Sequence, residues 1–190
     1  MLTAEHSLNA STFAVRVAAS TGTDLFSALV AGMATLKGPL HGGAPSGVAD
    51  MLDRIESAGQ ASAWIEAELD AGRRIMGFGH RVYRTTDPRA TALRSVAAEL
   101  AGTSAVLDLY MAVEEAALTA LRRRHPERAL CTNVEFYTAA VHRMVGIVPE
   151  ASPAVFAMAR TVGWAAHALE QAATGRLIRP LARYVGPAPR

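Results

Sequence analysis

Apolar residues at helical spacing, interrupted by glycine and proline, run through almost the whole chain. In the segment VADMLDRIESAG, apolar residues recur at Val48, Met51, Leu52 and Ile55 before Gly59. Recurrence every three to four residues places such side chains on one face of a helix. Alanine, the strongest helix former, makes up about a fifth of the chain, and alternating strand patterns are nearly absent. The sequence therefore predicts an all-α, multi-helix fold.

Eight predicted helices account for these segments. Their boundaries follow from capping residues, from proline in a first turn and from glycine after a last turn. Asp87 followed by Pro88, for example, is a strong start signal for a helix. The predicted ranges are 9–20, 24–37, 48–59, 62–72, 87–100, 104–124, 133–145 and 152–174. The tail after Gly175, which contains Pro180, Pro187 and Pro189, is predicted to be extended.

Charge and cysteine content exclude several classes of protein. The single cysteine, Cys131, allows no internal disulfide and forms no metal-binding cluster, which fits a reducing cytosol. The longest apolar run, 28–36, is too short to cross a membrane, and the N-terminus lacks the pattern of a signal peptide. The one dense basic run, 122–125, comes at a predicted helix C-terminus, where cations complement the dipole. We therefore expect a cytoplasmic protein without nucleic-acid or membrane partners.

Polar residues at four positions are not required by a folding argument alone. His41 and His80 lie in glycine-rich loops, where open backbone amides and a titratable ring can serve a ligand. Glu135 begins a predicted helix, and Arg160 lies within an apolar one. Each has a simpler explanation: loop histidines are often on the surface, acids favour helix N-termini, and an arginine can extend to water. Taken together with Arg89, these residues indicate acid–base chemistry on a small polycarboxylate.

No metal site is predicted from the sequence. No two histidines have the i, i+3 or i+4 spacing of ligands on one helix, and there is no cysteine cluster. The chain also lacks a phosphate-binding glycine loop and a G-x-S-x-G nucleophile motif. The predicted chemistry therefore depends on side chains alone.

Four consecutive blocks of the sequence resemble the citrate synthase family. The blocks are 5–44, MGFGHRVYRTTDPRA at 76–90, NVEFYTAAV at 133–141, and FAMARTVGW through RLIRP at 156–180. The likeness covers essentially the whole chain, in the order and at the separations of the family. It implies a citrate-synthase-like fold with a complete small domain and the C-terminal part of the large domain. Residues 1–43 and 147–190 would belong to the large domain, and residues 44–146 would form the small one.

The resemblance also implies roles for individual residues. His41 resembles the histidine that stabilises the enolate of the acyl-CoA thioester, and His80 the one that polarises the ketone of oxaloacetate. Glu135 occupies the position of the base that removes the methyl proton, which is usually an aspartate. The residues that match binders of the oxaloacetate carboxylates are His6, Arg89, Arg160 and Arg179, the last delivered from a neighbouring subunit. The backbone that would lie along the coenzyme A adenine is that of Met76, Gly77, Phe78 and Gly79.

The reaction implied by the resemblance condenses acetyl-CoA with oxaloacetate to citrate and CoA, with no tightly bound cofactor. Family members also have an N-terminal half that this sequence lacks. Without that half, the helices at 10–36 and 153–173 would expose broad apolar surface, which a soluble monomer rarely tolerates. We therefore expect a second chain that supplies the N-terminal half, and a homodimer contact that brings Arg179 into the site.

Three alternatives stay open at this point. The same motifs would serve a 2-methylcitrate synthase that uses propionyl-CoA. The chain could instead be a fragment of a longer enzyme, or a non-catalytic remnant or structural subunit of a citrate-synthase-like complex. If the chain is a remnant, Glu135 in place of aspartate and Pro45 where the family has asparagine would be results of decay.

Overall fold

The computed structural model describes residues 2–5, 7–38, 41–42, 44–80, 83, 85–102 and 105–186, with the backbone alone at 44–46. Every regular secondary-structure element within these ranges is a helix, which confirms the predicted all-α fold. The α-helices are α1 Ala10–Ser20, α2 Leu25–Leu36, α3 Ala44–Leu52, α4 Ala61–Asp70, α5 Pro88–Ala101, α6 Ala105–Arg124, α7 Val134–Met144 and α8 Ser152–Thr174. Short 3-10 helices, Ala58–Gln60 and Pro149–Ala151, precede α4 and α8. None of the described helices combines the length and the apolar character that a membrane span requires.

The largest difference from the predicted boundaries is at α3. The sequence predicts this helix over 48–59, and the structure places it over Ala44–Leu52. Its first turn includes Pro45, because a proline in a first turn removes no intrahelical hydrogen bond. Ile55 lies beyond the helix and is still only 3% exposed. The apolar spacing that predicted a longer helix therefore reports burial rather than helical continuity.

The chain divides into two compact units, which we describe separately. The first consists of Met1–Ala4 and Lys37–Arg160, and the second of Glu5–Leu36 and Thr161–Arg190. The point of division falls within α8. The family-based domain boundaries, with a small domain at 44–146, stay a prediction.

Five helices of the first unit, α3 to α7, enclose one hydrophobic core. α7 packs against α3 and α5, and α6 packs against α4. Phe136 on α7 is fully buried, and its ring centroid lies 5.2 Å from that of Phe78, 5.5 Å from that of Tyr110 and 5.3 Å from that of Tyr137. Aromatic pairs at these distances add to the gain from burying apolar area. The core therefore fixes α7, which carries Glu135, against the loop around Phe78.

The second unit contains α1, α2 and the part of α8 after residue 160. Gly32 on α2 allows close packing, because a Cβ there would lie 2.5 Å from Val15 Cγ2 and 3.2 Å from Trp164 Cδ2. Gly163 on α8 allows the backbone of Glu5 to approach, because a Cβ would lie 2.2 Å from the Glu5 carbonyl oxygen. Small residues thus set the distances of closest approach in this unit.

Apolar side chains are exposed on one face of α2. Phe26 is 78% exposed and Val30 66% exposed, and Met33 continues the same face three residues later. We call these three residues the exposed α2 face. In the same unit, Val162 and Leu169 on α8 are also exposed. This agrees with the expected apolar surface and is typical of an interaction site.

We predict that Gly163→Ala destabilises the second unit. The new methyl group would meet main-chain atoms of Glu5, which cannot move away as a flexible side chain can. Overpacking of this kind costs about 1–3 kcal/mol, so the midpoint of thermal unfolding, followed by far-UV circular dichroism, should fall by several degrees. Gly59→Ala is the matched control, since nothing lies within 4 Å of its added methyl group. Equal midpoints for the two variants would contradict the prediction.

Candidate active site

A short antiparallel pairing joins the loop at 77–79 to the segment at 131–133. Phe78 forms an isolated bridge with Thr132. The Gly79 amide donates to the Cys131 carbonyl at 2.7 Å, and the Asn133 amide donates to the Gly77 carbonyl at 3.0 Å. The pairing binds the loop that precedes His80 to the segment that leads into α7.

Gly77 and Gly79 make this pairing possible. Their φ angles are +89° and +86°, a region that residues with a Cβ rarely adopt. A Cβ on Gly77 would also lie 2.8 Å from Phe136 Cδ2, and one on Gly79 would lie 3.0 Å from Leu130 Cδ2. The GFG sequence is therefore required by conformation and by space.

Asn133 connects the two segments through its side chain. Its Oδ1 accepts from the Glu135 amide at 3.1 Å and so caps α7. Its Nδ2 donates to the Gly79 carbonyl at 3.1 Å. A capping asparagine stabilises a helix by about 1 kcal/mol, and here it also fixes the residue before His80.

The His80 ring is oriented by hydrogen bonding and by stacking. Its Nδ1 accepts from the Tyr83 amide at 3.2 Å, and the two rings lie 4.8 Å apart. The Nε2 atom lies 3.4 Å from an Arg89 terminal nitrogen, which can only donate. His80 is therefore oriented through both ring nitrogens and lies beside a positive charge.

Arg89 is held by a bidentate contact to Asp87 at the start of α5. Arg89 Nε donates to Oδ1 at 3.1 Å and Nη2 donates to Oδ2 at 2.9 Å. Oδ1 also accepts from the Arg89 amide at 2.9 Å and caps the helix. The guanidinium has five N–H groups, of which this fork uses two. Arg89 is thus fixed in position with donors left over for an anion.

Burial and pairing act in opposite directions on the pKa values of this ion pair. Burial alone would raise the pKa of Asp87, but the hydrogen bonds and charge of Arg89, with a smaller contribution from His80, hold it below its ordinary value. Burial alone would lower the pKa of Arg89, but Asp87, and to a lesser extent Tyr83 and Glu135, raise it. Both groups therefore stay charged at neutral pH.

Glu135 lies in the first turn of α7, and the hydrogen bonding of its two carboxylate oxygens bears on its role. Its Oε2 is buried and makes no hydrogen bond to any described residue. Its charge acts on Arg89, so the two side chains share one electrostatic environment. A buried carboxylate oxygen without a donor is costly to keep and is suited to accept a proton. The structure thus places Arg89 beside His80, and the charge of Glu135 acts on Arg89.

The other predicted site residues lie in different surroundings. His41 is half-buried and follows α2 in the chain, and its amide donates to the Gly38 carbonyl at 2.9 Å. Arg160 is only 6% exposed, and its guanidinium carbon lies 4.4 Å from the Phe156 ring centroid, so this arginine does not extend into water. Arg179 is exposed in the tail after α8, and His6 lies outside the described residues. The roles of all four stay predictions.

The sequence reasoning missed three residues that build the site. Asp87 was expected only as a helix cap, yet it also holds Arg89. Tyr83 and Asn133 had no predicted role, although both orient catalytic candidates. The Asp-x-Arg pattern at a helix start was the available signal. Among the described residues, no group of three or more potential metal ligands comes together.

Known proteins resemble this chain along nearly its whole length. Residues 1–181 match the family described as "Citrate synthase, C-terminal domain". A Mycobacterium tuberculosis relative with a citrate synthase name is 51% identical over 187 residues, which are 98% of this chain and 50% of the relative. Citrate synthase 2 of Bacillus subtilis is 42% identical over 190 residues, again 98% of this chain and 49% of the relative. The chain thus spans about half the length of the relatives it matches.

Solved structures show the same relationship. The crystal structure of citrate synthase from Thermotoga maritima superposes with a TM-score of 0.84 at 40% identity, covering 100% of this chain and 51% of that one. The citrate synthase of Thermoplasma acidophilum, solved as a ternary complex with carboxymethyl coenzyme A and oxaloacetate, gives a TM-score of 0.86 at 36% identity, with the same coverage.

We predict that Asp87→Asn destabilises the first unit in a pH-dependent way. Asparagine keeps the helix cap but removes the ion pair, which at pH 6 should lower the free energy of unfolding by about 1.5–3 kcal/mol. The ordinary pKa of Asp87 is 3.8 and its folded value is lower, so the ion pair contributes fully above pH 3.8. Its contribution is lost as pH falls through the folded pKa.

Urea titrations of both proteins at pH 6 and at pH 3 test this prediction. The difference between wild type and Asp87→Asn should shrink at pH 3. An equal difference at the two pH values would show that the ion pair is not its source.

Proposed function

This chain belongs to the citrate synthase family, and from this premise we propose that it condenses acetyl-CoA with oxaloacetate to give citrate and CoA. The observation that carries the proposal is the buried, unpartnered Oε2 of Glu135 in the environment of Arg89 and His80. The Thermoplasma relative, solved with a coenzyme A derivative and oxaloacetate, supports these two ligands. No tightly bound cofactor is needed.

Glu135 begins the reaction by removing a proton from the methyl carbon of the thioester. This methyl group is a weak acid, so a positioned base and a donor at the developing enolate oxygen are both required. His41 supplies that donor. The electron pair left on carbon then attacks the ketone carbon of oxaloacetate.

His80 and the arginines act on the second substrate. The Nε2–H of His80 donates to the ketone oxygen, which becomes the hydroxyl of the product. Arg89, already fixed by Asp87, binds an oxaloacetate carboxylate, and Arg160, Arg179 of a neighbouring subunit and His6 complete the carboxylate sites. Pre-positioned arginines orient the ketoacid at little entropic cost. Water then cleaves the citryl thioester to citrate and free CoA.

The loop at 76–79 contributes backbone groups to coenzyme A. The Gly79 amide and the Gly77 carbonyl already pair with residues 131–133. In an antiparallel bridge of this type, the amide and carbonyl of Phe78 face the opposite edge. The adenine therefore lies along the edge formed by Met76 and Phe78.

A second chain that supplies the N-terminal half of the family fold would cover the exposed α2 face. The exposure of this apolar face supports this part of the proposal. Two copies of the chain must also meet if Arg179 acts in trans. The reaction would take place in the cytoplasm, which would supply both substrates.

We predict that Glu135→Gln abolishes turnover in the assembled enzyme. The protein is purified with its native partners, and free thiol release from acetyl-CoA is followed with and without oxaloacetate between pH 6 and 9. Loss of the base should lower kcat at least a hundredfold, while the affinity for oxaloacetate stays as in wild type. The control is Glu99→Gln, a neutralised exposed carboxylate on α5.

The same assay decides between the alternatives. Faster thiol release with propionyl-CoA than with acetyl-CoA would indicate a 2-methylcitrate synthase, although one methylene is worth only about 1–3 kcal/mol. An assembly that releases no thiol and binds no oxaloacetate would instead be a non-catalytic structural subunit. Wild-type turnover by Glu135→Gln would contradict the proposed base.

We predict that Val30→Asp prevents assembly with the chain that supplies the N-terminal half. A charge in the middle of the exposed α2 face would have to be buried unpaired in the complex. Native mass, measured by light scattering after size exclusion, should fall to that of the chain without this partner. Ser95→Asp adds the same charge at an exposed position of the first unit and should leave the mass unchanged. A complex that survives Val30→Asp would exclude this face as the contact.

A further inference from the structure

A buried carboxylate on α6 lies behind both segments of the candidate active site. Glu114 is 9% exposed. Its Oε1 accepts from Thr132 Oγ1 at 2.6 Å, and its Oε2 accepts from the Tyr137 hydroxyl at 2.6 Å. Arg94 approaches Oε2 at 3.9 Å from a half-exposed position. Thr132 is the residue that pairs with Phe78, so the network reaches the loop before His80.

The two hydroxyl contacts define positions on either side of Glu135. Thr132 lies three residues before it and Tyr137 two residues after it. Burial and the nearby Glu114 both raise the pKa of Tyr137, so its hydroxyl stays protonated and donates. Each carboxylate oxygen of Glu114 therefore has its own donor, at a distance typical of strong, directional hydrogen bonds.

Stability alone gives little reason for a carboxylate at this place. Burying a charge is costly, and well-packed apolar groups of similar volume often stabilise a core as well or better. A fully satisfied polar network, by contrast, fixes its members in one arrangement. This network joins α6 to the segment that carries Glu135 and, through the bridge between Thr132 and Phe78, reaches the loop before His80.

We propose that Glu114 is a positioning residue that sets the placement of Glu135 relative to His80. It acts through Thr132 and Tyr137 and touches no substrate. From Thr132 the effect passes to Asn133, which caps α7 and also holds the Gly79 carbonyl. The kinetic consequence of this inference rests on the proposed function, whereas its structural consequence does not.

The first test is kinetic and uses Glu114→Gln in the assembled enzyme. The amide keeps the shape of the side chain, but only one of its two terminal atoms can accept a hydrogen bond, so one hydroxyl loses its acceptor and must instead accept from the amide N–H. We expect kcat to fall at least tenfold while the KM for oxaloacetate stays within about twofold, since small misplacements of a base are costly. Glu115→Gln, the exposed neighbour on the same helix, should match wild type.

The second test needs no activity. Amide hydrogen exchange is compared between wild type, Glu114→Gln and Glu115→Gln, with the Gly79 and Asn133 amides as reporters of the pairing. We expect faster exchange at these two amides in Glu114→Gln alone and no change in α4. Tyr137→Phe and Thr132→Val, which each remove one donor, should give the same local effect in part.

Local acceleration together with the lower kcat would support the inference. If wild type released no thiol, local acceleration would still support the positioning role, and only the proposed function would fail. Unchanged exchange at Gly79 and Asn133, or faster exchange throughout α3 to α7, would overturn the inference, because the second result reports general destabilisation. Wild-type kcat in Glu114→Gln would overturn it as well.

Discussion

The hydrogen bonds between residues 77–79 and 131–133 hold the candidate site together, because they join two segments far apart in the sequence. On one side, glycines at positive φ allow the loop to turn beside its partner. On the other side, the Asn133 side chain caps α7 and also donates a hydrogen bond to the Gly79 carbonyl of the loop. Phe136 closes the arrangement from the core, where a Cβ on Gly77 would meet it. The loop that precedes His80 and the helix that carries Glu135 are therefore held together by one isolated bridge and its hydrogen bonds rather than by a β-sheet.

Two carboxylates that act on the charge of Arg89 have opposite environments, and this difference suits them to different tasks. Asp87 is saturated by Arg89 and by the backbone of α5, and its pKa is held low, so it serves as a permanent counter-charge. Glu135 keeps one buried oxygen without a donor. Groups of the same chemistry acquire different roles when their surroundings differ in this way. Arg89 is paired with Asp87, and its pKa is also raised, to a smaller extent, by the charge of Glu135.

The helices could be predicted from the sequence because each is delimited locally, as Asp87 and Pro88 show for α5. The end of α3 could not, since Ile55 is buried by tertiary packing that continues the apolar spacing past the helix. The pairing of Phe78 with Thr132 could not be predicted either, because a single bridge produces no alternating strand pattern in the sequence. The residue types and their local sequence were enough to predict Glu135, His80 and Arg89 as site residues. Only the folded structure shows the residues that hold them, which are Asp87, Tyr83 and Asn133. Spacing along the chain says little about contacts that cross fifty residues.

The distribution of these groups between the two units bears on what a half-length chain can do. Glu135, His80 and Arg89 all belong to the first unit, which has its own core and its own caps. Their arrangement therefore needs no contribution from the second unit. The exposed α2 face belongs to the second unit. In the proposed reaction, a second chain that covers this face would complete the substrate sites and exclude water, and exclusion of water decides whether the enolate attacks the ketone carbon or is reprotonated.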